Sequence, residues 1–211
     1  MGNKAARVAL IVGAGSPLGE QLARGLAAGG VHVALNDLLP NHIEALAAEI
    51  NAAGSGAYEE ARRKVAALPA DLSRKLALQT MLQDILEPWE RIDILVFIPS
   101  VQPSVPLLDL DEWDWHRALD LNLSAAFLCM QSVGRVMRQV GGGVMVNVLQ
   151  SSHVHSPVYE AAAAGLGALT QAASTEFAAH NIRVHSLSGE HVDAQSILQL
   201  CLQERSPISS R

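Results

Sequence analysis

Apolar and polar positions fall into two kinds of segment that alternate along the chain. Short, nearly continuous apolar runs rich in β-branched residues occur at Arg7–Val12, Val31–Leu35, Lys64–Leu68, Ile92–Ile98, Val144–Leu149 and Ile182–Leu187. Such runs predict strands buried on both faces. Longer amphipathic stretches lie between them and predict helices. Leu18–Ala28 is closed by Gly29-Gly30; Asn41–Ala53 is opened by Pro40-Asn41 and closed by Gly54; Ser73–Leu86 follows the third strand. Asp109-Leu-Asp-Glu112 has capping-box spacing and predicts the start of a long helix reaching about Met137. Gly141-Gly142-Gly143 predicts a turn, and Tyr159–Ala179 an Ala/Gly-rich helix. This alternation implies right-handed βαβ units and a doubly wound, Rossmann-type α/β fold, a parallel sheet of about six strands with helices on both faces. Past Val192 only Gln195–Leu202 is amphipathic, and a polar tail, Ser206–Arg211, follows. The expected organisation is one Rossmann-type domain over 1–192, with a short helix and tail over 193–211. No seventh strand and no internal repeat is expected.

Composition narrows the function classes. The 211 residues are 49% hydrophobic but only 4% aromatic. The core is therefore built from Ala, Leu, Val and Ile, packed through small side chains. The net charge is −6, and Arg62-Arg63-Lys64, the one basic run, reads as a solvated helix end. Nothing here suits nucleic acid, whose phosphates need a basic surface. Cys129 and Cys201 show neither metal nor redox spacing, so no metal is expected and a reducing cytoplasm suits the chain. The apolar run Ile94 to Pro99 is far too short to cross a bilayer. Met1-Gly2-Asn3-Lys4 lacks the apolar stretch of a signal peptide, and Ala6 stands where myristoylation needs Ser or Thr. A cytoplasmic protein with no membrane partner is expected.

The candidate chemistry begins at Val8-Ala-Leu-Ile-Val-Gly-Ala-Gly-Ser-Pro-Leu-Gly19. Gly13, Gly15, Ser16, Leu18 and Gly19 follow a strand and open a helix. A tight turn there aims backbone N–H groups and the positive helix end at a pyrophosphate. Asp37 ends the second strand, where a carboxylate accepts both ribose hydroxyls of an adenosine and repels a 2′-phosphate. No Lys or Arg lies within 14–18 or 36–40, which favours NAD over NADP. Asp71-Leu72 follows the third strand; taken alone, Asp71 is equally a helix cap before Ser73.

Further segments extend the pattern in order. They are Trp115-His-Arg-Ala-Leu-Asp-Leu-Asn122, Val146-Asn147-Val148, Tyr159 with Ala164-Gly165-Leu166, Asn181-Ile-Arg-Val184, and Ser188-Gly189. With the glycine turn, which resembles Gly-x-x-x-Gly-x-Gly except that Pro17 replaces the central glycine, the chain resembles the short-chain dehydrogenase/reductase family from residue 7 to about 192. The resemblance implies an NAD(P)-linked oxidoreductase of alcohols or carbonyls. It implies that Asp71, with Leu72, meets the adenine amino group. It implies that the loop ending at Ser100 walls the cofactor, and that Asn122 bends its helix and holds a proton-relay water. Tyr159 becomes the catalytic acid. Ser151 becomes the catalytic serine, although matching outward from Asn147 places Gln150 on that position and Ser152 is adjacent.

The chain departs from the family pattern at the chemistry. The family's lysine, four residues after the tyrosine, is Ala163, so no cation lowers the phenol pKa. Phe97-Ile98-Pro99-Ser100 replaces Asn-Asn-Ala-Gly. The last strand and the substrate-covering helices are not seen. Two readings follow: an impaired, atypical NAD-linked oxidoreductase, or a catalytically inactive nucleotide-binding or oligomer-partner protein. His153 and His155 are loop histidines that can act as acid or base or simply face solvent, while His185 and His191 read as structural. Trp113, Trp115 and Phe127 read as a core stripe. Relatives form tetramers through two contacts. This chain keeps the helices at 111–137 and 159–179, and a homodimer through them is expected.

Overall fold

A computed structural model describes residues 6–53, 64–99, 101–150, 156–189 and 192–203. The elements are β1 (Val8–Val12), α1 (Pro17–Ala28), β2 (His32–Asn36), α2 (Pro40–Ala53), β3 (Val65–Ala67), α3 (Lys75–Trp89) and β4 (Ile94–Phe97). They continue with α4 (Glu112–Leu119), a π-helical turn (Asp120–Ser124), α5 (Ala125–Gln139), β5 (Gly143–Gln150), α6 (Pro157–Phe177), β6 (Ile182–Gly189) and α7 (Ala194–Leu202). The strands form one six-stranded sheet in the order β3-β2-β1-β4-β5-β6, parallel throughout. This is the expected doubly wound architecture. The order reverses between β1 and β4, where the chain crosses from one half to the other, and a crevice opens beyond the strand ends at that point.

Alternate side chains of the central strands feed two apolar layers. Leu10, Leu95, Phe97 and Met145 pack with Leu78, Ile85, Cys129 and Val133 on the face of α3 and α5. Ala9, Ile11, Val33, Val96 and Val146 pack with Leu22, Leu26, Ile43, Ile197 and Cys201 on the face of α1, α2 and α7. The α7 helix sits directly on α1. A Cβ on Gly25 would come within 2.5 Å of the Leu198 side chain, so glycine there admits the helix. At the strand N-termini, buried Asp93 accepts from Val8 N at 3.0 Å and pairs with Arg91 at 2.7 Å, which pins β1 to β4.

Four sequence expectations need correction. The helix beyond Asp109 is capped by Asp111, which accepts from Asp114 N, and not by the Asp109–Glu112 box. It is not continuous to Met137, because the π-turn interrupts it. The third helix starts at Lys75 and runs past Pro88 to Trp89; Pro88 costs one backbone bond in the last turn, where few remain to lose. Trp113 is 71% exposed and Phe127 44% exposed, so the proposed core stripe is a surface feature. Trp113 and Trp115 are two residues apart, about 200° around a helix, and cannot share a face. Arg62 and Arg63 lie outside the described residues, and Lys64 leads into β3.

Candidate active site

The turn from β1 into α1 is built by close backbone approach. Gly13 has φ +79°, and a Cβ there would lie 2.5 Å from the Ile98 carbonyl oxygen. At Gly19 a Cβ would meet the Gly13 oxygen at 2.6 Å and Ala14 Cα at 2.7 Å. Neither position admits a side chain without moving backbone. Ser16 caps α1: its hydroxyl donates to Gly13 O and accepts from Gly19 N. Pro17 occupies the first helical position, where no donor is missed. Leu18 is buried beneath the turn.

Asp37 reaches across from the end of β2 into this turn. Its Oδ2 accepts from Gly15 N at 3.0 Å, and its Oδ1 accepts from Leu38 N and Leu39 N. Gly15 lacks a side chain where a Cβ would lie 2.9 Å from that carboxylate. His42 stands beside the same spot and holds Glu20 through Nε2 at 2.8 Å. Beyond Gly13 and Asp37 a cleft of about 390 Å3, counted to its open mouth, is lined by Asn36, Leu38, Ala70, Leu72, Phe97 and Val101. Asn36 holds the far wall by donating to Leu68 O and Ala70 O.

Asp71 stands in a different setting. Its Oδ1 accepts from Ser73 N and Ser73 Oγ, and its Oδ2 from Arg117 of α4 at 2.9 Å. Burial alone would raise its pKa; the Ser73 hydrogen bonds and the Arg117 cation override it and hold the carboxyl below its ordinary range. Asp71 is thus fastened to its own turn and to α4. Arg74, not Asp71, is the residue that precedes α3.

Asn122 lies in the π-turn and is 1% exposed. Its Oδ1 accepts from Val101 N at 3.1 Å and its Nδ2 donates to Val101 O at 2.6 Å. The bent helix thereby grips the loop that leaves β4. A wide turn of this kind is a common device at functional sites. The α6 helix packs against the same turn, with Gly165 admitting Leu123, whose Cδ2 would lie 2.9 Å from a Cβ there.

Tyr159, in the first turn of α6, is 1% exposed. Burial raises the phenol pKa above its ordinary value, Glu160 raises it further, and Gln102 acts in the opposite sense without reversing the shift. The phenol therefore holds its proton at neutral pH. Ala163 follows one turn later, half-buried, where a lysine would lie on the same face. Ser100, Ser151, Ser152, His153, His155, His191 and the Gln150 side chain lie outside the described residues. His185 on β6 has a buried Nε2 with no hydrogen-bond partner among the described residues, and burial, followed by Arg183, lowers its pKa. Among the described residues no cluster of His, Cys, Asp or Glu could hold a metal ion.

The family model described as short chain dehydrogenase matches residues 7–199. The chain belongs to the short-chain dehydrogenase/reductase family. It is 30% identical over 186 residues to an NAD-dependent glycerol dehydrogenase of Listeria innocua, covering 86% of this chain and 69% of that one. It is 32% identical over 189 residues to a D-threitol dehydrogenase of Mycolicibacterium smegmatis, covering 86% and 68%. Among solved structures, a 3-ketoacyl-ACP reductase from Sinorhizobium meliloti superposes with a TM-score of 0.77 at 30% identity, over 86% of this chain and 71% of that one. Members of this family are oxidoreductases that bind NAD(P) and act on alcohol and carbonyl groups. The adenosine half of such a cofactor fits the residues present. Glycine at 13 and 19 lets the turn close on its own backbone with no side chain in the way, and Asp37 borders the cleft. At the other half, Ala163 offers no cation for the nicotinamide ribose.

Proposed function

We propose that this protein is an NAD-linked oxidoreductase of an alcohol/carbonyl pair, working slowly and best towards reduction. One observation carries the reading: Tyr159 is a buried phenol whose pKa is raised by burial and by Glu160, with Ala163 in place of a lysine one turn away. A phenol in that setting is fit to give a proton to a carbonyl oxygen and unfit to take one from an alcohol near pH 7. Gly13, Gly15, Ser16 and Gly19 would face the pyrophosphate. Asp37 would receive the adenosine ribose hydroxyls, which favours NAD over NADP. Bound NADH supplies the hydride; the chain's own residues supply orientation and the proton.

A second reading, a nucleotide-binding protein without turnover, is favoured by the same Ala163 and by the enclosure of Tyr159. One experiment separates the two. The purified protein is given NADH and a panel of small ketones and aldehydes, beside Tyr159→Phe and a calorimetric NADH titration. Slow oxidation of NADH that the variant loses supports the first reading. Tight NADH binding with no turnover on any substrate supports the second.

The assembly proposed is a homodimer through α4, α5 and α6. Trp113 on α4 and Phe127 on α5 are exposed and stand ready to be covered in such a contact. Cys129 and Cys201 are both free and buried, with thiols pushed up to about 12 by burial. That usage supports a cytoplasmic location. Among the described residues no helix is long and apolar enough to cross a membrane.

A further inference from the structure

The carboxylate that borders the cleft is already well supplied with donors. Asp37 Oδ2 accepts from Gly15 N at 3.0 Å, and Oδ1 accepts from Leu38 N at 2.7 Å and Leu39 N at 3.3 Å. A carboxylate offers about four lone-pair positions, so these three backbone N–H groups leave room for about one more donor. A ribose brings two hydroxyls. A second acceptor stands at the same place. The space that a Gly15 side chain would fill is bounded by Asp37 Oδ2, 2.9 Å from an ideal Cβ, and by His42 Nδ1, 3.5 Å from it. The other ring nitrogen of His42, Nε2, lies 2.8 Å from Glu20 Oε1. One turn along α1, Arg24 makes a two-pronged pair with Glu49 of α2, at 2.7 and 2.9 Å. The helices that carry Glu20 and His42 are thus held together at both places.

We propose that His42 is a nucleotide-binding residue, the second acceptor for the adenosine ribose, and that Glu20 is a positioning residue that sets it in that role. This role rests on the dinucleotide site proposed above. A neutral imidazole carries a proton on one nitrogen and a lone pair on the other, and the hydrogen bond made by one decides which. An ionised carboxylate can only accept. Glu20 therefore draws the proton to Nε2 and leaves the Nδ1 lone pair facing the notch beside Gly15. One ribose hydroxyl then donates to Asp37 and its neighbour to His42. The two hydroxyls of a cis-diol lie side by side, which suits two acceptors on one notch. A 2′-phosphate brings negative charge and acceptors. It would meet the Asp37 carboxylate, the His42 lone pair and, behind them, the Glu20 carboxylate. Discrimination against NADP is thus shared by the residue that follows β2, by α1 and by α2.

Binding tests this without turnover. At about pH 8, above the ordinary imidazole range, NAD is titrated calorimetrically beside its analogues lacking the 2′- or the 3′-hydroxyl of the adenosine ribose. The titrations use the unmodified protein, His42→Leu and Glu20→Ala. Each analogue is expected to bind the unmodified protein more weakly than NAD. In His42→Leu one of these losses, about 3- to 10-fold and the worth of one hydrogen bond, should vanish while the other stays. Glu20→Ala should shrink the same loss. The tautomer is read in the free protein from two-bond 1H–15N correlations of His42, assigned by their absence in His42→Leu. A proton on Nε2 is expected, moving partly to Nδ1 in Glu20→Ala. A proton on Nδ1 in the unmodified protein would overturn the role of His42. So would NAD binding in which both losses survive in His42→Leu, and the dinucleotide site would then stand without it. If NAD does not bind the unmodified protein, the site and the role fall together.

Discussion

Asp37 Oδ2 accepts the Gly15 N–H at 3.0 Å, which ties the end of β2 to the middle of the glycine turn. The carboxylate and the backbone that would meet a phosphate are therefore one unit, positioned before any nucleotide arrives. We expect NAD to bind at least about tenfold more tightly than NADP, the scale of a repulsion between close charges. In Asp37→Ala the gap should narrow and the turn should loosen, so both nucleotides weaken. Calorimetric titration of the two nucleotides against both proteins checks this, and tighter NADP binding by the unmodified protein would reverse the assignment.

The pH dependence of turnover should split by direction. Because the Tyr159 phenol is raised above its ordinary value by burial and Glu160, the proton needed for carbonyl reduction is present throughout the neutral range. Reduction should be flat from about pH 6 to 9. Oxidation, which needs the phenolate, should climb about tenfold per pH unit over the same range. Steady-state rates in both directions test the split; oxidation that is flat across neutral pH would point to a different base. Ala163→Lys should shift the rise of the oxidation profile to lower pH.

Stability at high pH follows from the same group. The fold favours the neutral phenol, so Tyr159 contributes stability in full below the ordinary phenol value of about 10. That contribution is lost as pH rises through the higher folded-state value. Tyr159→Phe cannot ionise. Urea unfolding of the two proteins should give a free-energy difference that is constant from about pH 7 to 9 and moves in favour of the phenylalanine variant above about pH 10. A difference that stays constant to pH 11 would mean that the phenol titrates normally.

Trp113 and Phe127 supply a test of assembly. If α4 and α5 meet a second copy, replacing both with Glu should convert a dimer to a monomer of unchanged far-ultraviolet circular dichroism. Light scattering of both proteins reads this directly. A monomeric parent protein, or a tetramer, would end the proposal of a two-fold pair through these helices.

Much of the fold was legible because parallel strands covered on both faces leave a simple signature, runs such as Val8–Val12 and Ile94–Phe97 with no polar interruption. The glycine turn was legible for a related reason: Gly13 and Gly19 stand where backbone meets backbone, and only one residue type fits. Asn122 was found through its spacing from Trp115, and its side-chain grip on Val101 gives that spacing a physical meaning. The exposed Trp113 was misread because hydrophobicity was weighed without its angle around the helix. Arg117 was not found, since it acts through Asp71, a partner far away in sequence. Pairings of that kind leave no local pattern. Asp71 shows the ambiguity that remains when a motif residue also satisfies its own turn: its bonds to Ser73 and Arg117 account for it without a ligand.

The helix that packs last has a consequence for how the chain matures. β1 precedes the other described strands in sequence and lies in the middle of the sheet, yet part of its cover comes from α7, where Ile197 and Cys201 join the layer beneath it and Leu198 settles on Gly25. During translation β1 and α1 therefore wait, with an incomplete layer over α1, until the end of α7 has emerged, some 190 residues after Val12. Contacts so remote in sequence form late and slowly. A nascent chain stalled before Ala194 would display that uncovered strip to chaperones, and emergence of α7 is what hides it.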